Sequence, residues 1–330
     1  MIAPDSPYED VANSMKKILR ASALALLLLI VILGVTFYAN PIGVADEHVR
    51  LNLWRAGVYG HYTQVDGYRI HYFEAGPSDG IPLVLIHGLG SRGEDWAPLL
   101  PPLASSGYHL YVPDLLGYGR SDTPDIDYAI SAQVKLVADF MHVVGLSKAN
   151  VAGWSMGGWV AAKLTLDHPD LVDRLILYDS AGIYFPATFD ASLFTPTDRA
   201  GLIHLTEMLQ PFPATMPNFV AQAAIEKLQR GSWVVTRSVN AMTSGRDLLD
   251  FRLSAIRKPT LLVWGSKDVL IPPSVGESMH HLIPNSSMTI VEGCGHLAPA
   301  QCVGPVLVTT LQFLKANPPL KNQEQTLPNN

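Results

Sequence analysis

Cysteine is scarce in this chain: Cys294 and Cys302 are the only two among 330 residues. They make no C-x-x-C pair and no Cys/His set at zinc spacing, which excludes a metal finger. Two thiols also leave a disulfide scaffold out of play. Charge is scarce as well, with Asp, Glu, Lys and Arg supplying 16% of the residues. The formal net charge is −6 and no run is rich in Lys or Arg, so nucleic acid is excluded as a partner class. Internal repeats and low-complexity tracts are lacking too. What is abundant is apolar: 48% of the residues, too many for a disordered chain. A chain this long buries a sizeable core without a metal or disulfide staple.

One stretch is apolar without interruption. Ala21 to Ala39, ASALALLLLIVILGVTFYA, carries no charge. As a helix it spans roughly 30 Å, the thickness of a bilayer's hydrocarbon core. No polar face breaks the run, as a buried soluble helix would require. Lys16, Lys17 and Arg20 precede it, and the next basic residues are Arg50 and Arg55. That bias places residues 1–20 in the cytoplasm, 21–39 in the membrane and the rest on the outer side. A cleaved signal peptide is the competing reading; its apolar region is normally shorter and ends in an A-x-A-like site. Residues 40–59 read as a linker. The tail 317–330, NPPLKNQEQTLPNN, reads as a flexible end.

From His61 to Gly76 two alternating runs flank Asp66-Gly67, a strong hairpin signal. Thereafter the runs become short and nearly continuous: PLVLIHG (82–88), YHLYVPD (108–114), NVAGWS (150–155), DRLILYDS (173–180), KPTLLVWGS (258–266) and SMTIVEG (287–293). Runs of this kind are strands buried on both faces, as in a parallel sheet. Helical stretches such as Ser131–Val144 and Gly157–His168 separate them, and this βαβα alternation predicts an α/β fold. Between Ser180 and Pro259 the rhythm stops. Only amphipathic helical pieces stand there: Thr197–Leu209, Asn218–Gln229 and Trp233–Met242. Residues 181–257 therefore read as a helical cap over the C-terminal edge of the strands, where open α/β sheets bind ligands. The core is assigned to 60–180 and 258–316.

Gly153-Trp154-Ser155-Met156-Gly157 fits G-x-S-x-G, and it stands between an apolar strand and a helix-forming run. That strand–turn–helix setting predicts a nucleophile elbow, with glycines where side chains would collide across the turn. Taken alone, Ser155 would also serve as a helix N-cap. A serine hydroxyl needs a base, and the base an orienting carboxylate. Asp268 follows strand LLVW and His296 follows strand TIVE, in the order Ser, acid, His that elbow hydrolases use. The expected oxyanion donors are the backbone N–H groups of Met156, at a helix N-terminus, and of Leu89 in His87-Gly88-Leu89-Gly90. His87 is expected to shape that loop. No metal and no cofactor are called for.

With these residues in place, the chain resembles the α/β-hydrolase superfamily over about residues 60–316. The resemblance rests on His87-Gly88-Leu89-Gly90, Asp114-Leu115-Leu116-Gly117-Tyr118-Gly119-Arg120-Ser121-Asp122, Gly153–Gly158, Trp264–Asp268 and Gly295-His296. It implies a mostly parallel eight-stranded sheet with a helical cap, here preceded by one transmembrane helix. Ser155 at the elbow excludes the aspartate chemistry of dehalogenases and epoxide hydrolases. Asp114 is carried over as structural only. Gln301, Cys302 and Val303 stand where the family often shows an acidic residue and a proline.

Anchor, cap and serine elbow together look like the membrane-anchored monoacylglycerol lipases, and also like the C–C bond hydrolases of aromatic degradation. The cap's Phe185, Phe189, Phe194, Phe212 and Met216 are expected to line an acyl pocket, although aromatic residues in a cap also simply pack it. The expected function is therefore hydrolysis of lipid-like carboxylic esters, with membrane contact through the N-terminal helix. A C–C hydrolase would instead need a cation for a carboxylated dienol, from Arg199, Arg230, Arg237 or Arg246. An inactive, tethered binding module is the non-enzymatic alternative.

Overall fold

The computed structural model of the chain describes residues 7–213 and 215–329. Helix α1 (Pro7–Ala39) contains the 27-residue stretch Asn13–Ala39, which is long and apolar enough to cross a membrane and buries none of its apolar window in the protein. Residues 40–59 are not a loose linker, contrary to expectation. Helix α2 (Pro41–Arg55) occupies most of them. Asn40 caps it by accepting the Gly43 N–H at 3.0 Å, and Pro41 supplies a preset φ at the first turn. Leu53 then anchors α2 in the core. Its polar composition hid the helix, because only one narrow face is apolar.

Strands β1 (Tyr59–Val65) and β2 (Tyr68–Ala75) form the expected hairpin. Asp66 and Gly67 take φ of 51° and 84°, the two positive values a type I′ turn demands. Then follow β3 (Ile81–Ile86), α3 (Leu100–Ser105), β4 (Tyr108–Pro113), α4 (Ile130–Val143), β5 (Ala149–Trp154), α5 (Met156–Asp167) and β6 (Val172–Tyr178). The helical segment carries α6 (Arg199–Leu209), α7 (Asn218–Arg230) and α8 (Ser232–Thr243). The chain closes with β7 (Thr260–Gly265), α9 (Pro273–Leu282), β8 (Ser286–Val291), α10 (Ala298–Gln301), α11 (Val303–Lys315) and β9 (Glu324–Leu327). The sheet order is β1-β2-β4-β3-β5-β6-β7-β8-β9. β1–β2 and β2–β4 pair antiparallel, and all other pairs are parallel.

The continuous apolar runs divide between two cores with the period of a strand. Val84 and Ile86 face one core with α4 and α5, while Leu83 and Leu85 face the other with α3 and α11. β7 does the same, with Leu262 and Trp264 on one side and Leu261 and Val263 on the other.

Two further expectations are corrected here. The sheet has nine strands, not eight, because the C-terminal tail does not end free. Residues 324–327 pair with β8, Met288 opposite Glu324 and Val291 opposite Leu327. An edge strand needs backbone partners more than apolar side chains, so polar residues suffice. Gln325 adds a side-chain bond from Nε2 to Thr289 Oγ1 at 3.0 Å. The two cysteines are also not independent: a disulfide joins Cys294 and Cys302, with Cα atoms 6.3 Å apart. Spacing in the sequence does not reveal it, since only the turn after β8 and the bend before α11 bring the two within bonding distance.

Candidate active site

Three strand ends build the site. At the end of β5 the chain turns through Ser155 with φ 57° and ψ −121°, a conformation that non-glycine residues rarely take. The glycines around it are sterically obligatory. A Cβ on Gly153 would lie 2.1 Å from the Gly157 carbonyl oxygen, and one on Gly157 would lie 2.2 Å from that of Ile86. The turn holds the Ser155 side chain half-exposed at the rim of the sheet.

After β7, Asp268 is buried, and its Oδ1 accepts the N–H groups of Leu270 and Ile271, both at 2.9 Å. Its Oδ2 accepts Nδ1–H of His296 at 2.7 Å. A carboxylate only accepts, so the imidazole proton sits on Nδ1 and Nε2 is free to accept. Ser155 donates its hydroxyl to that Nε2 at 2.8 Å. His296 is fixed from behind as well, because Trp154 Nε1–H donates to its carbonyl at 2.8 Å. The turns after β7 and β8 interlock: Lys267 N–H donates to Cys294 O at 2.7 Å, and Gly293 N–H to Ser266 Oγ at 2.9 Å. The Cys294–Cys302 bridge closes the loop that carries His296.

Met156 is the first residue of α5, so its N–H has no carbonyl to take within the helix. Leu89 lies on the same cavity wall as Ser155. His87 shapes the loop between them: its Nδ1–H donates to Gly88 O at 2.8 Å, and Nε2 accepts Leu115 N–H at 2.9 Å. Burial pushes its pKa down, so the ring stays neutral in this role. Asp114 is likewise structural, accepting from His71 Nδ1–H, Gly93 N–H and Arg120 N–H between 2.7 and 2.9 Å.

Ser155 and His296 open into a cavity of about 350 Å³ with a largely apolar lining. The five cap residues expected there fare unevenly. Phe194 lines it. Phe185 and Phe189 pack into the core instead, Phe189 with its ring edge-on to Phe194 at 5.6 Å. Met216 fills the space between α6 and α7 beside Leu202 and Ala221. Phe212 is 86% exposed in the loop after α6. The walls come from Leu205 and Leu209 of α6, Leu228 of α7, Val235 of α8, and Leu270 and Leu297 in the turns after β7 and β8. The helical ones lie on apolar stripes of period 3.6, a pattern that marks an inward face but not a cavity wall. Among the described residues, Ser91 and Asp95 add a polar wall besides Ser155 and His296. Among the described residues no Lys or Arg lines the cavity. Arg237 and Arg246 pair with Asp125 and Asp127 on a separate surface, and Arg199 donates to Met216 O.

One buried acid escaped the sequence reading. Asp179 ends β6 at φ 44°, fully buried, with Oδ1 accepting Gly265 N–H at 2.8 Å. Among the described residues no donor reaches its Oδ2. Burial, and then the charge of Asp268, push its pKa well above the usual carboxylate range.

Comparison with known proteins bears on the fold and the family. A sequence model of the alpha/beta hydrolase fold matches residues 81–301. Lipase 1 of Psychrobacter immobilis is 29% identical over 71% of this chain and 77% of its own length. The 2-hydroxy-6-oxo-6-(2'-aminophenyl)hexa-2,4-dienoic acid hydrolase of Metapseudomonas resinovorans is 30% identical over 77% and 90%. The crystal structure of a membrane phospholipase A, described as a bacterial virulence factor, superposes with a TM-score of 0.76 at 27% identity, over 89% of this chain and 98% of that one.

Proposed function

The chain belongs to the α/β-hydrolase family, and from that premise we propose that it is a membrane-anchored serine esterase that cleaves uncharged, lipid-like carboxylic esters such as monoacylglycerols. The observation that carries this reading is the chain of bonds from Ser155 through His296 to Asp268, opening into an apolar cavity that no Lys or Arg lines among the described residues. Ser155 Oγ attacks the ester carbonyl while His296 Nε2 takes its proton. The N–H groups of Leu89 and Met156 stabilise the oxyanion that forms. Collapse breaks the bond to the alcohol, which leaves with the proton from His296, and the acyl group stays on Ser155. Water, deprotonated by the same imidazole, attacks the acyl carbon, the bond to Ser155 Oγ breaks, and the proton returns from His296 to Oγ as the acid leaves. Asp268 holds the Nδ1–H tautomer throughout and offsets the charge of the imidazolium.

Lipase relatives favour ester cleavage, and the lack of a cationic wall disfavours a carboxylated dienol. The hydrogen-bonded triad argues against an inactive module. The long apolar α1 and the likeness to a membrane phospholipase point to membrane association. The basic residues before α1 and the disulfide after β8 both favour a catalytic domain on the oxidising, outer side.

Substitution Ser155→Ala tests the mechanism. It is expected to lower p-nitrophenyl ester turnover by at least about 10³-fold, while the melting curve stays that of a folded protein. A fluorophosphonate should label the wild-type chain at Ser155. An unlabelled folded chain, or a series of acyl esters turned over more slowly than a dienol ketone, would overturn the assignment.

A further inference from the structure

Helix α2 is bonded to two of the elements that line the cavity. Arg92 presents its guanidinium fork to Asp46, with Nη2 donating to Oδ1 at 2.5 Å and Nη1 to Oδ2 at 3.2 Å. Lys227 Nζ donates to the same Oδ2 at 2.8 Å. Arg92 is the neighbour of Ser91, and Lys227 is the neighbour of Leu228. Both Ser91 and Leu228 line the cavity, one from the loop after β3 and the other from α7. A single carboxylate thus ties the loop after Gly88 to helix α7.

Two other contacts reinforce the grip. Arg50, one turn further along α2, donates from Nε to the buried Glu94 at 3.0 Å. At the far end, Phe37 and Tyr38 in the last turn of α1 pack on Phe219 in the first turn of α7, with ring centres 5.8 and 5.0 Å apart. The three charged groups are half-buried, where salt screens them less than on an open surface. Burial pushes the Asp46 carboxyl up, but the bonds from Arg92 and Lys227 more than offset this and hold it below the usual carboxylate range.

We propose that Asp46 is a positioning residue that sets the width of the acyl cavity, so that turnover of long-chain esters depends on helix α2 and, through it, on the membrane-spanning helix. Without the clasp, α7 loses the ion pair that ties it to the loop carrying Ser91. The oxyanion loop and the Ser155 turn are held by bonds of their own, so chemistry on a small ester continues. The substrate half of this proposal rests on the esterase reading; its structural half does not.

The test uses the full chain in detergent micelles, with Asp46→Ala, Lys227→Ala and the double variant. For p-nitrophenyl dodecanoate, kcat/KM is expected to fall about fivefold in each single variant, mostly through KM, the size of one half-buried ion pair. The double variant should fall no further than the singles, because both remove the same clasp. For p-nitrophenyl acetate the change should stay within about twofold. In the same samples, amides of residues 218–230 should exchange hydrogen faster in Asp46→Ala, with the sheet unchanged. Equal losses on both esters would make Asp46 a general structural residue and overturn the proposal. Unaltered exchange over 218–230 would overturn it even in a chain that cleaves neither ester, an outcome that would separately end the esterase reading.

Discussion

At the rim of the sheet and in the helices above it, one cavity is built by two different kinds of constraint. The rim is fixed by backbone. Gly153 and Gly157 face carbonyl oxygens that no Cβ could approach, and Ser155 accepts a strained φ because the strand and helix on either side dictate it. Asp268 is held by main-chain donors, and His296 by Asp268 and by the Trp154 side chain. The helices are fixed by side-chain packing. Leu205, Leu209, Leu228 and Val235 face the cavity because their stripes lie inward, and another aliphatic residue of similar size would serve. A reacting centre tolerates little displacement, whereas a wall for a flexible acyl chain tolerates a good deal.

The largest expected effect comes from attacking the rim. Asp268→Asn leaves the shape intact but allows the amide to donate to Nδ1, which favours the tautomer with its proton on Nε2. Ester turnover should then fall by about 10³- to 10⁴-fold, read as kcat on a p-nitrophenyl ester. A fall of only about tenfold would show that the rim is less strictly determined than its hydrogen bonds imply.

Substitutions in the helices should sharpen the contrast. Leu209→Ala and Leu228→Ala each remove wall from the cavity and are expected to cost about tenfold in kcat/KM on a dodecanoyl ester, with little change on an acetyl ester. Phe212→Ala, on an exposed side chain, should cost nothing in stability or in acetate turnover. If Phe212→Ala matched the leucine variants on the long ester, the wall would extend into the loop after α6.

The same division decides what could be read from the sequence. The hairpin, the six buried strands and the elbow were legible because each depends on residues adjacent in the chain: Asp66-Gly67, the continuous apolar runs, the glycines around Ser155. Asp268 and His296 were legible because strand ends place them on one edge. The cavity lining was not, since which face of α6 or α7 points inward depends on how the helices dock. Phe212 is as apolar as Phe194 and lies outside. Strand β9 and the Cys294–Cys302 bridge were hidden for a similar reason, because both arise only when distant segments meet.

Asp179 breaks the pattern, since it sits at the rim and yet its state could not be read from its neighbours in the chain. Its sign is opposite to that of an ordinary paired carboxylate. Burial, and then Asp268, raise its pKa in the folded protein above its value of about 3.9 in the unfolded chain. Between those two values the folded state holds a proton that the unfolded state has released. Stability is therefore lost as pH rises through that interval, with a limiting slope of about 1.4 kcal/mol per pH unit for one proton. Asparagine has nearly the same shape and no proton to release. Asp179→Asn should accordingly keep the bond from Gly265 N–H through its amide oxygen, melt about 2–4 °C above the wild type near neutral pH, and gain less at about pH 5 than at about pH 7. Melting temperatures of the two proteins across that range measure it. If Asp179→Asn instead lowered the melting temperature at every pH, Asp179 would be ionised in the folded protein, its charge helping to hold the Gly265–Asp268 turn.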